Sequence, residues 1–324
     1  MERQIRFLEE VEKKLPKNKS FTKELSFRLG LSESYIRKKL KGTSKLSLHD
    51  LVLLSNHYGV SIDQFFNPVL YEKRIDYFSI DISSAEQYKS YIIKLRDDLL
   101  REASAKEVWK ICSDVPPPLA MYRYPEASVF LFYLDMMKKK KEEFVFEEFV
   151  GELERNGVFD VYREIYSHYI DKDSIEIYSV EAISYLPKAV GKLGSTPLFA
   201  EADTPILILE QLQKMLLQIR DWVKRKRKGE GSYQLYLSQK SVGSNIILCQ
   251  AEEGVRVCLS ARKGHGMETL KDFDYLEATR GFLDDLRQMY TCMCFIGEVQ
   301  RDRIFNDFFV SIEEIKYKIN PNNV

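Results

Sequence analysis

The sequence has no net charge, little cysteine and no long apolar run. Its 324 residues carry 49 Lys and Arg against 49 Asp and Glu. A zero sum, taken alone, argues against a nucleic-acid binder, because phosphate neutralisation needs an excess of cations. The longest apolar runs, such as Val129–Leu134 and Pro205–Leu209, fall far short of the roughly 20 residues that a membrane span requires. Residues 1–14 alternate charged and apolar side chains without a secretory apolar segment, so the chain reads as cytoplasmic with no membrane partner. The five cysteines form no Cys-x-x-Cys pair. Cys292-Met293-Cys294 is spaced too closely for a zinc knuckle and has no His or Cys nearby. The cysteines are therefore expected to be small buried hydrophobes in a reducing compartment. P-loop, His-Glu-x-x-His and Gly-x-Ser-x-Gly patterns are all missing. No catalytic residue, metal or cofactor is assigned, and the chain is not expected to be an enzyme.

The charge is unevenly spread. Residues 1–70 hold 13 basic and 8 acidic groups, a net of +5, leaving −5 for the remaining 254. Between Lys13 and Lys45 there are 11 basic residues against Glu24 and Glu33 alone. Neutrality is the sum of a basic head and an acidic body, and the head has the charge density that counterion release from DNA requires.

Helical periodicity and punctuation divide that head. Ile5, Leu8, Val11 and Leu15 fall at helical spacing before Pro16. Phe21–Leu29 reads as a second short helix, with Gly30 in the left-handed position that lets the chain turn. Ser32 caps a third, whose Ile36 and Leu40 face inward while Arg37, Lys38 and Lys39 are left outside. Ser47-Leu48-His49-Asp50 has the form of a capping box for a fourth helix to Tyr58. After Gly59, Ser61 caps a short fifth containing Ile62, Phe65 and Phe66. Two short helices joined by a Gly-containing turn make a helix-turn-helix.

The string from Thr22-Lys23-Glu24-Leu25 through Gly59-Val60-Ser61-Ile62-Asp63-Gln64-Phe65-Phe66 resembles the Cro/C1 (XRE) family of five-helix DNA-binding domains of bacterial type. Leu25, Gly30, Ile36, Gly42 and Leu51–Leu54 agree together; Ser26 stands where the family usually has Ala. The resemblance covers residues 1–67. It implies that Ser32–Lys41 enters the major groove of double-stranded DNA, with Glu33, Ser34 and Lys38 against base edges. Thr22, Tyr35, Arg37, Lys39, Lys41, Thr43 and Lys45 would contact phosphates, which fix position without reading sequence. It also implies a homodimer on an inverted repeat and a role in transcription. Self-cleaving bodies of some repressors in this family cut at Ala-Gly or Cys-Gly, and neither dipeptide occurs.

The rest is less informative. Residues 68–114 read as a connector followed by a helix from Ser83 to about Ile111. Its Tyr88, Ile92, Leu95 and Leu99 make an apolar seam, either between subunits or against its own domain. Asp114-Val115-Pro116-Pro117-Pro118 marks a boundary. Residues 115–324 are expected to be a helix-rich α+β dimerisation or effector domain with a small antiparallel sheet, so the whole chain is mainly α. Helices are expected at 126–140, 144–155, 159–170, 175–188, 204–224, 270–287 and 300–317, and strands at 233–237, 245–250, 255–260 and 290–295. The effector, a small molecule or a protein, is not named by the sequence, although 19 Tyr and 19 Phe are enough to line a pocket.

Three features invite other chemistry. Gly264-His265-Gly266 invites a dinucleotide reading, but Thr269 stands in place of the third glycine and the unit follows a hairpin, so it reads as an ordinary Gly-rich loop. Glu164 and His168 stand one helical turn apart and could hold a metal, but no third ligand is indicated and they read as an exposed polar pair. Lys138–Lys141 and Lys224–Lys228 are basic runs at expected helix C-termini, where cations suit the macrodipole; auxiliary DNA contact is the alternative. An enzyme tethered to DNA by its helix-turn-helix, or a helix-turn-helix used for protein contact, are the rival readings.

Overall fold

The computed structural model describes residues 2–15, 20–60, 62, 65, 75–78, 84–100, 103, 106–137, 145–252, 254–262, 266–270 and 273–320. The chain divides into two compact units, residues 1–74 and 75–324.

The first unit is built from α1 (Glu2–Lys13), α2 (Phe21–Leu29), α3 (Glu33–Leu40) and α4 (Leu48–Tyr58). Phe7, Leu8, Val11, Leu25, Ile36, Leu46, Leu54 and Val60 form its core, drawn from every helix. Helix ends fall where the punctuation placed them. Gly30 and Gly59 close α2 and α4 at φ 64° and 63°, a conformation that costs an L-residue about 1 kcal/mol or more. Ser47 and Asp50 form the complete capping box of α4. The expected fifth helix falls mostly outside the described residues; Ile62 and Phe65 pack on this core.

The second unit carries α5 (Ala85–Leu100), α6 (Pro118–Met121), α7 (Pro125–Met137), α8 (Phe146–Arg155), α9 (Val158–Ile170), α10 (Val180–Leu193), α11 (Thr204–Arg225), α12 (Phe273–Met289) and α13 (Glu298–Ile319). Its strands are β1 (Ile75–Phe78), β2 (Glu107–Ser113), β3 (Asp173–Ser179), β4 (Arg227–Lys228), β5 (Gly231–Ser238), β6 (Asn245–Ala251), β7 (Gly254–Arg262), β8 (Gly266–Leu270) and β9 (Thr291–Cys292). They join in the order β1-β8-β7-β6-β2-β3-β5-β4, with β9 also on β5. β2, β3 and β5 run parallel, and the remaining pairs are antiparallel.

This corrects the expectation of a small antiparallel sheet: the sheet is large and mixed, and its centre is parallel. The short strands β1, β4 and β8 were not expected, and of the central strands β2 was assigned to a helix reaching Ile111 and β3 to the helix starting at Ile175. β2 and β3 are covered on two faces, so their apolar residues run together instead of alternating. Trp109 and Ile111 meet the helices on one side while Cys112 packs under α12 on the other. At the end of α5 Arg256 takes the carbonyls of Asp98 and Leu99 at 3.2 and 2.7 Å and pairs with Glu107 at 2.7 Å, which satisfies carbonyls that a helix end leaves open. The break expected at Asp114 is therefore the end of a central strand.

Nearly all helices lie on one face of the sheet. Tyr88, Tyr91, Ile92, Leu95 and Leu99 of α5 are buried there with residues of α6–α11 and α13. The seam of α5 is thus spent inside its own body, and the reading of it as a subunit contact is overturned; a stripe that packs a helix on its neighbours has the same spacing as one that packs it on a second chain. Tyrosines contribute to this core as well: Tyr88, Tyr133, Tyr162, Tyr169, Tyr178 and Tyr233 are fully buried.

Candidate nucleic-acid interface

The turn of the helix-turn-helix is held by Ser26. Its carbonyl accepts the backbone N–H groups of Gly30 and Leu31, and its hydroxyl donates back to the Leu31 carbonyl at 2.5 Å. A serine in place of alanine therefore adds a bond across the turn. Ser32 caps α3 by accepting the Tyr35 N–H, and its hydroxyl lies 3.1 Å from that of Ser34.

α3 then presents its outer face. Ser34 and Lys38, one turn apart, are exposed together. Glu33 and Arg37 share the neighbouring strip and form a loose ion pair at 3.7 Å. Tyr35 is exposed, and so are Lys41, Thr43 and Lys45 beyond the helix. The loop that carries these last three is braced by Thr43, whose N–H and hydroxyl both donate to the Lys38 carbonyl at 2.9 and 3.0 Å. Thr22 sits half-buried in the first turn of α2.

Lys39 departs from the expected set. It is only 4% exposed, and its ammonium donates to the Lys45 carbonyl at 2.7 Å and to Asp50 at 3.1 Å. A side chain committed to its own domain cannot also serve a phosphate, so Lys39 is a brace. Burial by itself would raise the Asp50 carboxyl, but the Ser47 N–H, the Lys39 ammonium and the Ser47 hydroxyl together hold it below the ordinary carboxylate value.

Gln4 is the residue that sequence reasoning missed. Buried in α1, it donates to the carbonyls of Lys39 and Ser44 at 2.9 Å each and accepts from the Leu46 N–H at 2.8 Å. One side chain thereby ties the first helix to both ends of the loop after α3. A polar residue among the apolar positions of α1 was the available signal.

The competing chemistries do not assemble. Residues 263–265 and 138–144 lie outside the described residues, but the glycine loop joins the antiparallel strands β7 and β8, where a dinucleotide fingerprint needs a strand followed by a helix. Glu164 pairs with Arg96 at 3.2 Å, and among the described residues no group of three or more His, Cys, Asp or Glu side chains could hold a metal. The run at 224–228 is divided among separate partners. Lys224 pairs with Asp302 and Glu298, Arg225 with Asp221 and Arg227 with Glu230. Lys228 is fully buried against Glu176.

A polar cleft of about 600 Å³ opens in the second unit beyond the carboxyl ends of β2 and β3, lined by Asp114, Ser179, Glu181, Tyr185, Asn245 and Tyr275 among others. Asp114 organises its rim, accepting from the Ser241 hydroxyl at 2.6 Å and from the Val242 and Gly243 N–H groups at 2.8 Å each.

Among the described residues no helix is long and apolar enough to cross a membrane. No curated protein and no solved structure matches the chain. Residues 13–65 match the family model described as Helix-turn-helix, of the Cro/C1 type, and this segment of the chain is a helix-turn-helix that points to a DNA-binding regulator.

Proposed function

We propose that the protein is a sequence-specific transcriptional regulator that reads double-stranded DNA through α3 and acts by binding alone. The observation that carries this is the exposed face of α3, where Ser34 and Lys38 stand clear, Glu33 and Arg37 lie beside them, and Lys41, Thr43 and Lys45 continue the polar surface past the helix end. Lysine reads guanine, glutamate accepts from cytosine, and serine tolerates several bases. Thr22, Tyr35, Arg37, Lys41, Thr43 and Lys45 serve the backbone; Lys39 supports them from within. Single domains of this size bind in pairs on half-sites about one helical turn apart, roughly 34 Å, so a homodimer on an inverted repeat is part of the proposal. The second unit supplies the dimer contacts and a response to an effector, for which the cleft beyond β2 and β3 is the candidate seat, since ligands favour the carboxyl ends of parallel strands.

The test is selection of sites from random DNA with the full chain. An enriched inverted repeat supports the whole reading, and a single enriched half-site supports DNA readout without the dimer. Recovery of no motif, with no salt-dependent affinity for DNA, would transfer the helix-turn-helix to protein contact.

A further inference from the structure

The cleft beyond β2 and β3 is rimmed by its own hydrogen bonds, and those bonds decide which groups remain for a ligand. Two side chains at the strand ends are committed. Asp114 gathers the Ser241 hydroxyl and the Val242 and Gly243 N–H groups, which fixes the loop before β6. Asn245, at the start of β6, accepts the Ser113 hydroxyl and the Asp114 N–H through its Oδ1, both at 2.9 Å. Two donors on one amide oxygen fix which way the amide points, so Nδ2 is the end left over. Among the described residues nothing accepts from that Nδ2, and Asn245 lines the cleft.

A second wall belongs to α10. Ser179 caps this helix by accepting the Ala182 N–H at 3.0 Å. Glu181 and Tyr185 follow, one turn apart, and both line the cleft. Glu181 is exposed and has no hydrogen bond or ion pair among the described residues. Tyr275, in the first turn of α12, lines the cleft as well and is 44% exposed.

Charge narrows the ligand. The described lining holds two carboxylates, Asp114 and Glu181, and no Lys, Arg or His. Burial alone would raise the Asp114 carboxyl, but the Ser241 hydroxyl and the two loop N–H groups hold it below the ordinary carboxylate value. A helix N-terminus favours an anion, but the first turn of α10 already carries Glu181 and its cap is filled by Ser179. An anionic ligand would therefore meet two negative charges with no cation to offset them. A metal ion is poorly served, since among the described residues no group of three or more His, Cys, Asp or Glu side chains could hold one. An organic cation suits every part: a carboxylate takes its N–H groups, and tyrosine rings take its charge and its carbon stem. About 600 Å³ is ample room for such a molecule.

We propose that this cleft binds a small organic cation, an alkylammonium or guanidinium compound. Its charge lies at Glu181, its stem lies against Tyr185 and Tyr275, and a carbonyl or hydroxyl oxygen of the ligand accepts from the Asn245 amide. Asp114 adds negative potential while it keeps the rim in place. The proposal rests on the reading of this cleft as the effector seat and names the chemistry of that effector.

The test is calorimetric titration of the full chain, without DNA, with argininamide, which carries a guanidinium, an ammonium and a carbonyl oxygen. Neutral 1,4-butanediol and inorganic phosphate are the controls. Argininamide should bind saturably at one site per chain, and neither control should bind. Glu181→Gln should weaken argininamide about 10-fold, and Tyr275→Ala about 3-fold. Asp307→Asn removes an exposed carboxylate of α13 that does not line the cleft, and should change nothing. Glu181 and Tyr275 are both exposed, so neither replacement threatens the fold. No saturable binding of argininamide, binding of phosphate in its place, or equal losses from Glu181→Gln and Asp307→Asn would overturn the proposal. Failure of this titration leaves site selection on DNA untouched, and failure of site selection leaves the titration standing.

Discussion

Each unit contains a lysine–carboxylate pair inside its fold, and the two pairs do different work. Lys39 and Asp50 lie 11 residues apart in the first unit, with side chains 5% and 13% exposed. Lys228 and Glu176 lie 52 residues apart in the second, and neither side chain reaches water. The first pair sits beside backbone groups that share its charge: the Lys45 carbonyl accepts a hydrogen bond from the ammonium, and the Ser47 N–H donates to the carboxylate. Around the second, the hydroxyls of Tyr169, Tyr178 and Ser174 donate to Glu176 at 2.6, 2.8 and 3.1 Å, and Lys228 lies over the Tyr169 ring. Burial pushes the Lys228 ammonium down to about 7, while Glu176 acts to keep it charged. A small domain near water can hold a charge with its own loop; a large one out of water needs a built polar network, because desolvation of both ions must be offset by several bonds.

That contrast fixes what each break should cost. Glu176→Ala leaves Lys228 buried and alone, and should lower the stability of the second unit by about 3–5 kcal/mol in denaturant unfolding. A loss below about 1 kcal/mol would mean that Lys228 simply moves to water. Leu95→Ala, in the same body, should cost about 2–5 kcal/mol by opening a cavity. Its decisive readout is mass in solution, which should not change, because the side chain is buried within one chain.

The pair in the first unit should be worth less. Lys39→Met should cost about 1–2 kcal/mol, since Asp50 keeps its bonds to Ser47. In DNA binding, Lys39→Met should leave the salt slope unchanged once folded protein is compared. Lys41→Ala and Lys45→Ala should each reduce that slope by about 1. Equal slopes for all three variants would return Lys39 to the phosphate-contacting set.

The smallest effect is on acid stability. The folded Asp50 carboxyl is depressed, so its contribution is fully present above the unfolded carboxylate value of about 3.9. It is lost as pH falls through the lower folded value. Unfolding of the first unit followed from about pH 5 down to pH 2 should show a steeper decline for the wild type than for Asp50→Asn.

Legibility followed the range of the contacts. Gly30, Ser32, Ser47, Asp50 and Gly59 act within a few residues of themselves, and each did in the structure what its local pattern implied. Lys39 shows where that logic stops. In the sequence it continues the basic run of Arg37 and Lys38, and only the placing of the first turn of α4 beside α3 brings Asp50 to it. β2 and β3 were lost for a related reason. Their apolar runs are ambiguous between strand and helix until it is known that layers cover both faces. The basic run at 224–228 looked like one feature and became five positions with separate partners.

By itself, the sequence determined the helix-turn-helix, its caps and turns, and the concentration of positive charge around one short helix. These depend on backbone conformation and on neighbours three or four residues away, which the order of residues specifies directly. Tertiary structure alone decided that Lys39 is a brace, that the α5 seam is core, and that the sheet is parallel at its centre. Each of those depends on groups that only long-range packing brings together, and burial then sets whether a charge or an apolar stripe is spent inside the fold or left for a partner.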